Sequence, residues 1–320
     1  MSDMDVSYKR GVTRVGLLPI PDFALMSYAA TAEPLRAANL LAGRQLYDIV
    51  PVAIGPEPVP SSGAATVQPQ AQVGDDLKLD MLFVIAGGDL TEVANRALLH
   101  WLARMARTGT VMGGVSGGPV LLARAGLMAG RRMTLHWEYA PALAELSPDL
   151  RIERTLYVID RDRMTCAGGT APLDMMHALI ARQHGDGFAR RVSDWFMHTE
   201  VRPPIGPQRA GLVERIGSHS AAVLDAVAAM ESHIAEPLDL AQLALIAGVS
   251  RRQLGRLFQA QLGQPVMQYY RALRLERAQS LLRNSALPLT EIALATGFAN
   301  SAHFSRCYAA QYGQPPSAYR

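Results

Sequence analysis

The stretch Gly113-Gly114-Val115-Ser116-Gly117-Gly118-Pro119 follows the apolar residues Thr110-Val111-Met112 and runs straight into Val120-Leu121-Leu122-Ala123. One serine among glycines, at a sharp strand-to-helix turn, is the way many hydrolases lift a nucleophile above a sheet. The same turn can also bind without reacting. Backbone N–H groups at a helix N-terminus attract a carboxylate or another anion, which makes Ser116 and Gly117 candidate ligand contacts. Gly87 and Gly88 close the apolar run Met81–Ile85. Ligands of open α/β sheets bind at such strand ends, so this pair joins the candidates. A nucleophilic serine needs a base. His136 is the one histidine at a plausible partner position, and no carboxylate can be assigned to orient it. A serine without an activating base is a poor nucleophile, so the expected role of Ser116 is a noncatalytic one in a pocket or its frame.

Other chemistry-bearing residues are sparser. Glu33, in Thr31-Ala32-Glu33-Pro34-Leu35-Arg36, can hold a cationic group or be a solvated helix carboxylate. His136, Trp137 and Tyr139 cluster after a strand; Trp137 can face an ammonium group through its ring or simply pack in the core. The two cysteines, Cys166 and Cys307, lie 141 residues apart, and no disulfide framework is expected. Cys166 reads as a small apolar packing residue. His177 and His184 are seven apart with no Cys or acidic pair beside them, so no metal site is expected. The glycine clusters lack the spacing of a phosphate or dinucleotide loop, and no cofactor is expected.

The elements that must position these residues alternate. Val15–Leu18, Tyr47–Val52, Met81–Ile85, Thr110–Val115 and Met133–Leu135 read as strands, and Leu156–Ile159 with Met164–Cys166 as a hairpin. Phe23–Leu41, Leu98–Ala106, the segment to Ala125 and Ala171–Gln183 read as helices. Alternation of this kind predicts an α/β domain over 1–200, a doubly wound, mainly parallel sheet with helices on both faces. Residues 201–218, with three prolines and three glycines, read as a linker. After them no strand signal remains, and 219–320 reads as an all-α domain. The polar start predicts no secretory signal, and with no run of about 18 apolar residues no membrane span is expected. With 320 residues, 49% hydrophobic and 18% charged, the composition is that of a soluble globular protein, and two distant cysteines make the reducing cytoplasm the expected compartment. From His219 onward there are nine arginines and six acidic residues; the remainder balances at 22 of each sign, so the net +3 lies wholly in the last third. A solvated basic face accounts for +3 as well as nucleic acid does.

That helical third contains a repeat. Ala244-x-x-x-Gly248-Val249-Ser250, Leu254-x-Arg256-x-Phe258 and Gly263-Gln264-Pro265 come first. Ala293-x-x-x-Gly297-Phe298, Phe304-x-Arg306-x-Tyr308 and Gly313-Gln314-Pro315 follow, 49 residues on at the turn glycines and 50 thereafter. Each copy predicts a helix-turn-helix. The alanine permits close helix approach, the glycine ends the first helix, and Ser250 or Asn300-Ser301 caps the second. Leu254, Phe258, Phe304 and Tyr308 then face the core at i and i+4. Arg251, Arg252 and Arg256 face outward on one second helix; Ser301, Ala302, His303 and Arg306 do so on the other. Arginine can fork onto guanine, and His, Ser or Arg can hold phosphate. The predicted DNA contacts are Arg251, Arg252, Arg256, Asn300, Ser301, His303 and Arg306. Val266–Arg283 reads as one helix of roughly 27 Å, long enough to set two recognition helices about one DNA turn apart.

The C-terminal third, above all "IALATGFANSAHFSRCYAAQYGQPPSAYR", resembles the DNA-binding domain of the AraC/XylS family of transcription regulators. The first 200 residues resemble the flavodoxin-like, class I glutamine amidotransferase-like fold of the PfpI type. The motifs are "FVIAGGD", "GGVSGGPVLLARAGLMAG", "TLHWE" and "DRMTCAGGTAPLDMM". Regulators that join the two form a GlxA-like group. Enzymes of the amidotransferase-like superfamily carry Cys at the turn where this chain has Ser116, and PfpI-type peptidases have His where it has Gly117. The resemblance implies a cytoplasmic regulator, an activator rather than a repressor. It would bind double-stranded promoter DNA, sense a small nitrogen-containing metabolite of betaine, carnitine or amino-acid type, form a homodimer and contact RNA polymerase. The competing readings are an amidotransferase- or peptidase-like enzyme using Ser116, and an architectural DNA-binding protein. The +3 charge and two separate reading helices argue against the latter.

Overall fold

A computed structural model describes residues 11–90, 93 and 95–319. The chain divides into two compact units, Met1–Gln208 and Arg209–Arg320.

In the first unit the strands are β1 (Thr13–Pro19), β2 (Tyr47–Ala53), β3 (Val59–Pro60), β4 (Thr66–Val67), β5 (Ala71–Gln72), β6 (Met81–Ala86), β7 (Val111–Ser116), β8 (Arg132–Met133), β9 (Arg151–Ile152), β10 (Tyr157–Asp160) and β11 (Arg163–Cys166). Seven of them form one sheet in the order β10-β11-β7-β6-β1-β2-β5, parallel throughout except for the β10–β11 hairpin. The helices are α1 (Leu25–Ala42), α2 (Arg96–Arg107), α3 (Gly118–Arg124), α4 (Ala140–Leu146), α5 (Ala171–His184) and α6 (Asp186–Trp195).

Alternation along the strands explains the layers. Val15, Leu17, Phe83 and Ile85 pack with Leu35 and Ala38 of α1, Met175, Leu179 and Ile180 of α5, and Val192 of α6. Leu18, Leu82 and Val84 point the other way, onto Leu98, Trp101 and Leu102 of α2, Leu121 and Leu122 of α3 and Leu143 of α4. Side chains of a strand alternate between faces, so a strand covered on both must be apolar at every position. Every residue of β6 and β7 is buried accordingly. This is the expected flavodoxin-like doubly wound fold, with strand Met133–Leu135 reduced to the short β8.

The second unit is helical among its described residues: α7 (Leu212–Ile216), α8 (Ala221–Ser232), α9 (Leu240–Ile246), α10 (Arg251–Leu262), α11 (Val266–Asn284), α12 (Leu289–Ala295), α13 (Ser301–Tyr312) and a short 3-10 turn at Pro316–Tyr319. The segment 201–218, read above as a linker, is shared between the units. Leu156 N donates to Pro204 O at 2.8 Å, which fixes the proline-rich part onto the first unit. Beyond it, Arg215 of α7 pairs with Glu231 of α8 at 2.8 Å. Proline and glycine exclude regular structure here but not tertiary hydrogen bonds.

Candidate ligand site and nucleic-acid interface

The register brings the candidate ligand residues to one edge of the sheet. Pro19 lies level with Ile85, Ile85 with Val115, and Val115 with Cys166. The loops leaving β1, β6, β7 and β11 therefore converge at their C-terminal ends, on either side of the point where the strand order reverses. That is where open α/β sheets bind ligands.

Ser116 ends β7 with φ +60, a left-handed conformation that costs a non-glycine residue energy and forces the chain sharply into α3. The turn fits only because α3 starts on glycine. A Cβ on Gly118 would lie 1.9 Å from Val84 O. Gly168, at φ +90, leaves a bare place between two hydroxyls: its Cβ would lie 2.7 Å from Ser116 Cβ and 3.0 Å from Ser27 Oγ. Ser27, from the first turn of α1 and wholly buried, accepts from Gly169 N at 2.9 Å. Sequence reading missed Ser27, whose partner Gly169 lies 142 residues away and leaves no local signal. Glu33, the acidic residue chosen on that helix, is instead half-exposed and tied to Arg36 at 2.6 Å.

The other candidates fall around this turn. Gly117 N donates to Ala86 O at 3.0 Å, so that amide is spent within the fold rather than offered to an anion. Gly87 is packed against the loop after β1: a Cβ there would meet Asp22 O at 2.8 Å. Gly88 O accepts from Tyr139 Oη at 2.9 Å. His136 N donates to Ser116 O at 3.1 Å, which holds the histidine's backbone against the elbow. Its imidazole is tilted against Trp137, ring centroids 5.2 Å apart. Trp137 is 43% exposed, so it is a surface residue and not part of the core. Burial pulls the His136 pKa below the usual histidine value, opposed by Glu138, whose carboxylate comes within 4.0 Å of Nδ1. Nδ1 accepts from Glu138 N at 3.4 Å. Among the described residues no hydrogen bond joins Ser116 Oγ to a histidine.

Cys166 is completely buried, and burial pushes its thiol up to about 12, which removes it as a thiolate nucleophile. No group of three metal-ligating side chains occurs among the described residues. Nor, among them, is any helix long and apolar enough to cross a membrane.

In the second unit both copies of the repeat form helix-turn-helix motifs, α9–α10 and α12–α13. Gly248 and Gly297 take φ +66 and +72 at the turns, and Ala244 and Ala293 are buried where the helices cross. Ser250 accepts from Gln253 N at 3.2 Å and Asn300 from His303 N at 2.8 Å, each capping its recognition helix. Leu254, Phe258, Phe304 and Tyr308 are fully buried. That leaves Arg251, Arg252 and Arg256 exposed on α10, and His303 and Arg306 exposed on α13, with Ser301 partly covered. Asn300 is exposed, but its Oδ1 already serves as the cap. His303 also lies edge-on to Phe298, centroids 5.7 Å apart. Sequence reading missed the capping box that starts α9, in which Asp239 accepts from Gln242 N at 2.8 Å while Gln242 accepts from Asp239 N at 2.8 Å.

A doubly wound α/β unit joined to a tandem helix-turn-helix unit is the build of a DNA-binding transcription regulator. Comparison with known proteins agrees. The DJ-1/PfpI family matches residues 14–182, and a helix-turn-helix domain matches residues 243–320. The chain belongs to the DJ-1/PfpI family and, with its second unit, to the AraC-type HTH transcriptional regulators. It is 46% identical to the HTH-type transcriptional regulator GlxA of Rhizobium meliloti, over 98% of this chain and 97% of that one. It is 38% identical to the regulator CdhR of Pseudomonas aeruginosa, over 95% of this chain and 90% of the other. Among solved structures, an AraC family transcriptional regulator from Pseudomonas putida has 27% identity and a TM-score of 0.52, covering 57% of this chain and 99% of its own.

Proposed function

We propose that the first unit senses a small metabolite without transforming it, and that the second unit activates transcription from promoter DNA as part of a cytoplasmic homodimer in contact with RNA polymerase. The observation that carries the noncatalytic reading is at Ser116: among the described residues no histidine is hydrogen-bonded to its hydroxyl. The rim favours a ligand with a cationic, nitrogen-containing group. It offers the exposed Trp137 beside His136, whose ring burial biases toward the neutral form, and Asp22, whose Cβ lies 3.6 Å from the place a Gly88 Cβ would take. Gly87, Gly88, Ser116, Gly117, His136 and Trp137 frame this site; Glu33 stands apart from the contacts that assemble it.

The chain leaving the first unit is fastened on both sides of the elbow, which supports a route for the signal. Arg202 donates to Asp174 at 2.7 Å and to Thr170 Oγ1 at 2.9 Å, at the start of α5 just after Gly168 and Gly169. Gln208 donates to Thr134 Oγ1 at 3.0 Å and Leu135 O at 3.1 Å, immediately before His136. Gln208 Oε1 and Thr155 Oγ1 are buried without a hydrogen-bond partner among the described residues. A half-satisfied buried network is a weak point that a ligand can tip. A ligand acts only through unequal affinity for two states, here the fastened and the released exit segment.

The test is a thermal-shift screen of the full chain against nitrogen-containing metabolites, followed by fluorescence anisotropy on its own upstream DNA with each hit. A hit stabilises the folded protein, and it should also change the DNA affinity. Hits that leave DNA binding and transcription unaltered sink the sensing role. The strained φ of Ser116 keeps one rival reading alive, an amidotransferase- or peptidase-like enzyme. Turnover of glutamine, glyoxal or peptides that disappears in Ser116→Ala would establish it.

A further inference from the structure

The two reading heads are anchored to α11 in different ways. Tyr270 and Arg274, four residues apart, lie on one face of that helix. Tyr270 Oη donates to His233 O and accepts from Leu238 N at 3.3 Å, which pins the connection between α8 and α9. Arg274 instead reaches the second head. Its Nε donates to Thr296 O at 2.7 Å and its terminal nitrogen to Gly297 O at 2.6 Å, while the guanidinium lies 4.2 Å from the centroid of Phe298. Those carbonyls belong to the C-terminal end of α12, where a helix leaves acceptors unpaired and favours a cation. The planar fork that grips two oxygens and stacks on a ring at once is specific to arginine.

The grip extends into the recognition helix. Phe298 packs on Phe304 at 5.4 Å, Phe304 on Tyr308 at 5.6 Å and Tyr308 on Tyr312 at 4.6 Å. The turn is also closed in at Gly297. A Cβ on Gly297 would stand 2.5 Å from Pro237 and 2.6 Å from Ile234 O, in the connection that Tyr270 pins. The second turn is thus wedged between Arg274 and a loop fastened to the same helix. Gly248, its counterpart in the first head, has nothing within 4 Å of its Cβ position.

We propose that Arg274 is a positioning residue for DNA recognition. By clamping the second turn to α11 it fixes the distance and rotation between α10 and α13, and so the half-site spacing that the protein accepts. It does this without touching DNA, and the aromatic ladder on α13 carries the constraint to Arg306.

The experiment starts from duplexes selected out of a random DNA library with the full chain, whose two half-sites are mapped by base substitution. One base pair is then inserted or removed between the half-sites, a rotation of about 34° and a shift of about 3.4 Å. Two rigidly linked heads gain from each other's binding only when the geometry fits, so the wild type should lose about tenfold or more per step. Arg274→Met keeps the apolar stem and loses the fork. It should bind the selected spacing about tenfold more weakly, with the penalty for altered spacing falling to about twofold. A duplex carrying only the α10 half-site should bind both proteins equally. If Arg274→Met loses its helical circular-dichroism signal, Arg274→Lys is judged by the same criteria. A loss uniform across all spacings, or a spacing profile identical to wild type, overturns the proposal; so does a wild type indifferent to spacing.

Discussion

In the first unit the candidate site is made by residues from five separated stretches: Asp22 and Ser27, Gly87 and Gly88, Ser116, His136 and Trp137, and Gly168. In the second unit each reading surface lies within one helix of 12 residues, α10 or α13. The first arrangement exists only if four strands keep their register and several backbones touch. The second needs a cap, a turn glycine and a buried pair of large side chains. The candidate site and the first unit's stability therefore rest on the same atoms, whereas the reading surfaces can lose an outward side chain and stay folded.

The sharpest way to break this contrast is Gly118→Ala. The added methyl meets a backbone carbonyl, Val84 O, 1.9 Å away, and neither β6 nor α3 can yield cheaply. The expected loss is at least about 3 kcal/mol of stability in the first unit. All three tryptophans, Trp101, Trp137 and Trp195, belong to that unit, so their fluorescence in a urea titration reports it selectively. A midpoint unchanged from wild type would mean that the elbow is far looser than its packing indicates.

Asp174→Ala comes next. Its carboxylate is wholly buried and receives Arg202 and His198, at 2.7 and 2.8 Å. Removing it strands both partners, at a cost of about 3 kcal/mol, the low end for a buried pair because Arg202 stays partly in water. The same titration reads the loss. Because release of Arg202 is the proposed signalling step, binding of the selected DNA should also shift from the wild-type affinity.

How far the sequence announced all this follows from the same contrast. The tandem motif was legible because its determinants repeat locally: Ala244 with Ala293, Gly248 with Gly297, Phe258 with Tyr308. The strands and the elbow were legible from apolar runs and glycine punctuation. Ser27 was not, since nothing local distinguishes a serine that α1 presses against Gly169 from one facing water. Glu33 drew notice by its charge, and its pairing with Arg36 depends only on helix geometry. Trp137 was open between core and surface on sequence alone, and its 43% exposure decides it. Composition marked 201–218 as a linker but could not show Arg202 and Gln208 fastening its first part. Arg274 looked like any arginine of a basic helix, because its acceptors lie more than twenty residues away.

On the reading side the expected losses are in binding. Arg252→Ala and Arg306→Ala should each weaken anisotropy-measured binding to the selected DNA by about 1–3 kcal/mol if the arginine reads a base, and relax preference at that position. Their thermal unfolding should match wild type, since both side chains are exposed. Discrimination unchanged in both variants would move base reading to other residues of α10 and α13.

The smallest effect distinguishes the units by pH. His136, His177 and His184, all in the first unit, have pKa values lowered by burial. The unfolded chain then takes up protons that the folded unit refuses, starting near the ordinary histidine value of about 6.5. Stability from these groups is complete above that value and is lost as pH falls toward the depressed folded values. The tryptophan-monitored midpoint should therefore drop modestly between about pH 7 and pH 5, and His136→Gln should flatten part of that slope. A slope unaltered by the substitution would show that the His136 ring is open to water, and the neutral rim it lends to the ligand site would go with it.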